Sequence, residues 1–308
     1  MGATPSQTRV VLVGQQEMHN ADCIEWLAQA PQNSVHAVIT DPPYGLLEFA
    51  PEQQEKLRGG KGGVWRIPPS FDGARRRALP RFTVLDVSDR KRIFEFFFEW
   101  AKALLPVLAP GAHVFVASNP LVSPMMAYAL EQAGLERRGE IARVVRTFRG
   151  GDKPKGAEDE FKGISTMPRS CWEPWGLFRK PISERTVAMN LRLWGTGALK
   201  RLSAQTPFLD LIQSETTPDN EREIAPHPSV KPQRFLRHLV KAALPLGHGT
   251  ILDPFSGSGT TLAACEHLNV PGVGIERDPI YFDMALEAIP LLSRIHPTAS
   301  RQSPLPGL

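Results

Sequence analysis

The chain has 308 residues, 42% apolar and 22% charged, a balance that excludes a disordered polymer and suits one large α/β unit with a smaller insertion. No apolar run reaches the length of a membrane-spanning helix, and Cys23, Cys171 and Cys265 are too scattered for a zinc site or a disulfide framework. The formal charge of +4 is unevenly spread: residues 56–92 carry +8 and residues 136–201 carry +7, leaving −11 for the rest, so two basic segments on an acidic body predict a polyanionic partner.

In chain order, residues 9–13 read as a short strand and Asp22 as the N-cap of a helix through Leu27. Val35 to Thr40 is an apolar run suited to a buried parallel strand. It stops at Asp41-Pro42-Pro43, because proline cannot donate to a sheet ladder. Residues 45–88 are rich in Gly, Pro and Arg and predict a long functional or disordered loop. A helix follows over 89–108, with Ile93, Phe94, Phe97, Trp100, Ala101 and Leu104 on one face. Strands are expected at 113–117, 139–148 and 175–180, with a helix at 120–134. Residues 149–170 and 181–226 read as irregular, polar and basic. A helix over 232–244, a strand at 250–252, a helix to about Leu268, a strand over 272–275 and a last helix near 279–292 complete the pattern. Alternating strands and helices predict a mostly parallel sheet covered on both faces.

The stretch Ile251 to Glu276 reads as strand, glycine loop, helix, strand and acid. Gly257 and Gly259 allow a sharp turn and close approach to a ligand, and the helix starting near Thr260 aims free N–H groups at it. Glu276, seventeen residues after Gly259, sits where an acid accepts hydrogen bonds from ribose hydroxyls. The third glycine of a dinucleotide fingerprint is missing, and Thr261 and Leu262 follow instead. A carboxylate at Asp253 repels a pyrophosphate but suits the ammonium of a methionine moiety, so S-adenosyl-L-methionine is preferred over NAD. His227-Pro228-Ser229-Val230-Lys231-Pro232 precedes an amphipathic helix and can fold beside this loop.

Asp41-Pro42-Pro43-Tyr44 follows a strand and therefore belongs at a carboxyl sheet edge. An exocyclic amine on a nucleobase is a poor nucleophile, since its lone pair is delocalised into the ring. Asp41 and the Pro42 carbonyl can accept both amino hydrogens, and Tyr44 offers a face for stacking. Such chemistry needs neither a metal nor a covalent enzyme intermediate, only positioning and electrostatics. A rigid turn and a plain βα turn are the simpler readings of the two motifs taken singly; their presence in one chain favours the chemical one.

These motifs resemble those of the amino-methylating DNA methyltransferases, the N6-adenine and N4-cytosine family, and their order is similar to the β group, in which the catalytic tetrapeptide precedes the cofactor loop. The resemblance implies a seven-stranded, mostly parallel, Rossmann-like methyltransferase sheet, circularly permuted in sequence, with basic target-recognition insertions. It divides the chain into a catalytic part over 1–148, an insertion over 149–226, a cofactor part over 227–296 and a flexible tail over 297–308. It assigns Asp41, Pro42, Pro43 and Tyr44 to catalysis. It assigns Asp22, Lys231, Pro232, Asp253, Phe255, Ser256, Gly257, Gly259, Thr260 and Glu276 to the cofactor. Trp172, Glu173 and Trp175 are placed near the base, with core packing an equal reading for either tryptophan. Aspartate rather than serine in the tetrapeptide points to N6 of an adenine flipped from duplex DNA, with N4 of cytosine as the alternative. A silent DNA-binding module, an RNA or protein-amide enzyme and an NAD oxidoreductase rank below both. Arg179, Lys180, Arg185, Arg192, Lys200 and Arg201 are expected DNA contacts. The group includes many modification enzymes of restriction systems and many dimers, so a cognate restriction endonuclease and a homodimer are further expected partners. A cytoplasmic location is expected, as no signal-peptide pattern opens the sequence.

Overall fold

The computed structural model describes residues 9–43, 87–145, 151, 153–227 and 229–296. Tyr44, nearly all of the 45–88 loop, residues 146–148 of the strand expected over 139–148 and the 297–308 tail lie outside the described residues.

Nine described strands form one sheet, in the order β1-β2-β9-β8-β3-β4-β6-β5-β7. They are β1 (Arg9–Val13), β2 (Gln16–Asn20), β3 (Val35–Thr40), β4 (Leu108–Ala117), β5 (Glu136–Val144), β6 (Trp172–Arg179), β7 (Leu211–Gln213), β8 (Ile251–Asp253) and β9 (Gly272–Glu276). The expected seven strands are the run from β2 to β5, in which β6 alone is antiparallel to its neighbours. The two additional strands lie at the edges. β1 pairs with β2 as a hairpin arm through Gly14, and β7 adds three residues parallel to β5. Permutation is visible in the pairing: β8, late in the chain, hydrogen-bonds to β3, with Ala37 opposite Ile251 and Val38 opposite Leu252.

The helices are α1 (Cys23–Gln29), α2 (Val87–Leu104), α3 (Ser123–Gln132), α4 (Val187–Trp194), α5 (Asp219–Ile224), α6 (Gln233–Ala243), α7 (Thr260–His267) and α8 (Pro279–Ser293). Strand alternation sends Val38, Val114 and Val116 to one face, where α1, α2 and α3 cover them. Ala37, Ile39, Phe115 and Ala117 point to the other face, covered by α6 and α7. Phe97, Trp100 and Leu104 of α2 are fully or almost fully buried, each contributing roughly 1.5–3 kcal/mol of hydrophobic stabilisation.

Several boundaries differ from expectation. α2 stops at Leu104, because Pro106 disfavours helical backbone before it, and β4 begins at Leu108 rather than 113. Its early residues stay in the sheet through Gly111 N–H to the Lys180 carbonyl and Lys180 N–H to the Ala112 carbonyl. β6 begins at Trp172, not 175, since β5 pairs with it over that whole length. The 181–226 segment is not uniformly irregular: it carries α4, capped by Thr186, together with β7 and α5.

Candidate active site

β3 and β8 lie side by side and parallel, so Thr40 and Asp253 end together at one carboxyl sheet edge. The Thr40 hydroxyl donates to Asp253 Oδ1 at 2.7 Å, which ties the two motifs together across 213 residues of sequence. Asp41 follows directly. Its side chain is 13% exposed and pairs with the Lys231 ammonium. Pro42 behind it is buried, and Pro43 is partly so.

Asp253 is 3% exposed and accepts the Phe255 amide at 3.2 Å. Burial pushes its carboxyl up to about 6, with the nearby Asp41 charge adding to the rise and the Thr261 and Thr40 hydroxyls opposing it. The glycine loop follows. Gly257 and Gly259 have φ of +51° and +76°, which only glycine adopts readily. Gly257 N–H donates to Glu276 Oε2 and Asp278 N–H to Glu276 Oε1, both at 2.8 Å. Burial raises the Glu276 carboxyl above its usual range. Ser256 is buried, its N–H on the Ile275 carbonyl at 2.9 Å. Thr260 opens α7, and its carbonyl accepts from Gln233 Nε2 at 2.9 Å, which fastens α6 to α7.

The partly exposed Phe255 ring is backed by Phe96 and Trp100 at 5.9 and 5.7 Å. Asp22 caps α1, accepting Ile24 N–H at 2.9 Å, and lies 3.9 Å from Arg277. β2 delivers it beside β9, with Asn20 opposite Glu276. His227 packs against the loop: a Cβ built on Gly257 would lie 3.2 Å from its ring. The segment before α6 thus folds beside the glycine loop, as expected from its position.

Lys231 was expected at the cofactor. Its ammonium is seated between Asp41 and Glu173 Oε1, the latter at 3.4 Å. Pro232, buried beside it, stands at the N-cap position of α6, one residue before the first turn in which it was expected. Glu173 lies on β6 opposite Arg143 of β5, and Arg143 Nη1 binds Glu173 Oε2 at 2.8 Å. Trp175 Nε1 donates to the same oxygen at 3.0 Å. Arg143 is further held by Ser214 Oγ, by the Glu215 carbonyl and by the Phe235 ring. Burial alone would push the Glu173 carboxyl up; the Lys231 and Arg143 charges outweigh it and hold it down at about 2. Arg143 had no signal in the sequence beyond being one basic residue in a basic stretch. Trp175 is fully buried against Phe235, while Trp172 is exposed.

The expected DNA contacts divide. Arg179 is 7% exposed, bound to Glu136 at 2.6 Å and to the Gly197 carbonyl at 2.9 Å, so its guanidinium is occupied inside the fold. Lys180 is half-buried on Asn33 and the Leu108 carbonyl. Arg185, Arg192, Lys200 and Arg201 are exposed. Among the described residues no cluster of His, Cys, Asp and Glu could hold a metal ion, and no helix is long and apolar enough to cross a membrane.

With this geometry in view, the comparisons decide the family. Residues 35–287 match the DNA methylase family model for N6 and N4 amino-methyltransferases. The chain belongs to this family. It is similar to the Type II methyltransferase M.HindIII of Haemophilus influenzae, with 22% identity over 88% of this chain and 94% of that protein. Its fold is similar to that of TTHA0409 from Thermus thermophilus, solved in complex with S-adenosyl-L-methionine: TM-score 0.56, 18% identity, covering 91% of this chain and 96% of that one. It is equally similar in fold to the cytosine-N4-specific PvuII DNA methyltransferase: TM-score 0.56, 14% identity, covering 92% and 88% of the two chains. As a member of the family, this chain is a DNA methyltransferase with the permuted methyltransferase sheet.

Proposed function

We propose that this DNA methyltransferase transfers a methyl group to N6 of an adenine flipped out of duplex DNA at a specific site. The observation that carries the reading is Asp41 at the carboxyl end of β3, next to Asp253 at the end of β8. An aspartate there accepts an amino hydrogen, and the Pro42 carbonyl suits the second. Together they orient the nitrogen lone pair and favour its change toward tetrahedral geometry. Asp41, rather than the serine associated with cytosine chemistry, favours adenine.

S-adenosyl-L-methionine is the methyl donor, and its sulfonium supplies an activated methyl group. The residues present fit it. Glu276 keeps lone pairs for ribose hydroxyls while anchoring the loop, and Phe255 offers a flat apolar face. Gly257 and Gly259 take the positive-φ backbone that curls the loop toward such a ligand. Asp253, ionised above about pH 6, suits an ammonium group. Asp22 and Lys231 complete the assigned set, Lys231 from the base side. Extruding the base costs a few kcal/mol, which phosphate contacts by Arg185, Arg192, Lys200 and Arg201 help to offset.

The test is expression in a methylation-free host followed by mapping of modified bases. N6-methyladenine at one recurring sequence is the expected outcome. N4-methylcytosine would move the assignment to the alternative base, and unmodified DNA would overturn both.

A further inference from the structure

The chain Asp41, Lys231, Glu173, Arg143 alternates in sign, and its four side chains are between 6% and 18% exposed. Three elements that share no local sequence deliver it: the end of β3, the entry to α6, and the β5–β6 pair. The two carboxylates are not equivalent. Asp41 binds the ammonium closely. Glu173 Oε1 faces the same ammonium at 3.4 Å, beyond a good hydrogen bond, while Arg143 and Trp175 fix its other oxygen. Lys231 is a flexible point charge on a four-carbon stem; Glu173 is immobilised. The arrangement has one movable cation and two anions, and one of the anions is the group that must receive the amino hydrogens of the target base.

An incoming amino group and the Lys231 ammonium compete for the same carboxylate. A buried ammonium released from one partner needs another nearby, or its release is strongly disfavoured. We propose that Lys231 occupies Asp41 until a base arrives and is then received by Glu173, which makes Glu173 a positioning residue that acts on the reaction only through Lys231. The inference rests on the placement of an amino-bearing base at Asp41 and holds for adenine and cytosine alike. Arg143 keeps Glu173 ionised and aimed, so the acceptor is ready before the cation moves.

A double-mutant cycle tests this, using Glu173→Gln, Lys231→Met and the combined variant of the full chain. DNA carries the site mapped for the wild type. Two readouts are taken: kcat and KM for DNA separately, and, without cofactor, the fluorescence of a base analogue at the target position. Glu173→Gln leaves Lys231 on Asp41, so base uptake weakens and KM for DNA rises about tenfold, with a smaller change in kcat. Once Lys231 is gone, Glu173 has nothing to receive, so the combined variant matches Lys231→Met within about twofold. Glu173→Asp, which retains the charge, recovers part of the lost uptake and replaces Glu173→Gln in the cycle if the latter does not fold. Losses that multiply in the combined variant, or base uptake unchanged in Glu173→Gln, would overturn the inference. A wild type that modifies no DNA would instead overturn the functional reading on which it rests.

Discussion

Asp253 is one residue whose environment makes a measurable demand. Its carboxyl is raised from 3.8 to about 6 by burial, so the folded state favours the protonated form. The stabilisation is complete below pH 3.8 and is lost as pH rises through 6, amounting to about 3 kcal/mol. Thermal melts of the ligand-free protein should therefore decline over that window by an increment that Asp253→Asn removes. If the ionised carboxylate receives the cofactor ammonium, affinity for S-adenosyl-L-methionine should weaken below pH 6 in the wild type only, as calorimetric titration can measure. Asp41 makes a different prediction. Asp41→Ala should reduce methyl transfer by at least about a hundredfold while DNA affinity stays within a few-fold. Near-normal turnover of that variant would remove Asp41 from the chemistry. At this scale the two motifs were readable because each is a short run of unusual residue types. The pairing of Glu173 with Arg143 was not, because it depends on β5–β6 register. The seat of Lys231 beside Asp41 was also hidden, since 190 residues separate the pair.

Among the elements, the turn between β8 and α7 carries the strictest constraint. A Cβ on Gly259 would come within 2.7 Å of Ile289 in α8 and 3.1 Å of Ala285, at a φ that already disfavours it. Gly259→Ala should cost about 1–3 kcal/mol, seen as a lower Tm, and should weaken cofactor binding by displacing the first turn of α7. Elements with strong apolar period, such as α2 and β3, were legible in sequence. β2 was not: Gln16, Glu17, Met18, His19 and Asn20 are mostly polar, yet the strand is paired on both sides and buries Gln16, Met18 and His19. Gln16 Nε2 donates there to Glu266 Oε2 and to the Val270 carbonyl. α4 was missed for the opposite reason, since its apolar Val187, Met189 and Leu193 stay exposed while Asn190 is the buried residue. Asn190 binds the Pro110 and Thr196 carbonyls, a tertiary anchor with no periodic signature.

For the whole molecule, the charge distribution predicts how DNA is held. Exposed Arg185, Arg192, Lys200 and Arg201 share the 181–226 segment. Affinity for duplex DNA should fall steeply with salt, and replacing any one phosphate-contacting cation among them should reduce the slope by about 0.9. A slope unaltered by all four replacements would remove this segment from the DNA contact. The permuted order has a further consequence in time. β8 fills the centre of the sheet between β3 and β9, yet it is made after residue 250. Until then the strand carrying Asp41 lacks a neighbour on that side, and Thr40 lacks the Asp253 carboxylate that it binds in the finished fold. Under the proposed site assignment, a growing chain therefore holds Asp41 for most of its synthesis without the glycine loop that would carry the methyl donor. On the same assignment, methyl transfer waits until β8 threads into the middle of the sheet, and a product terminated before it is expected to leave DNA unmarked.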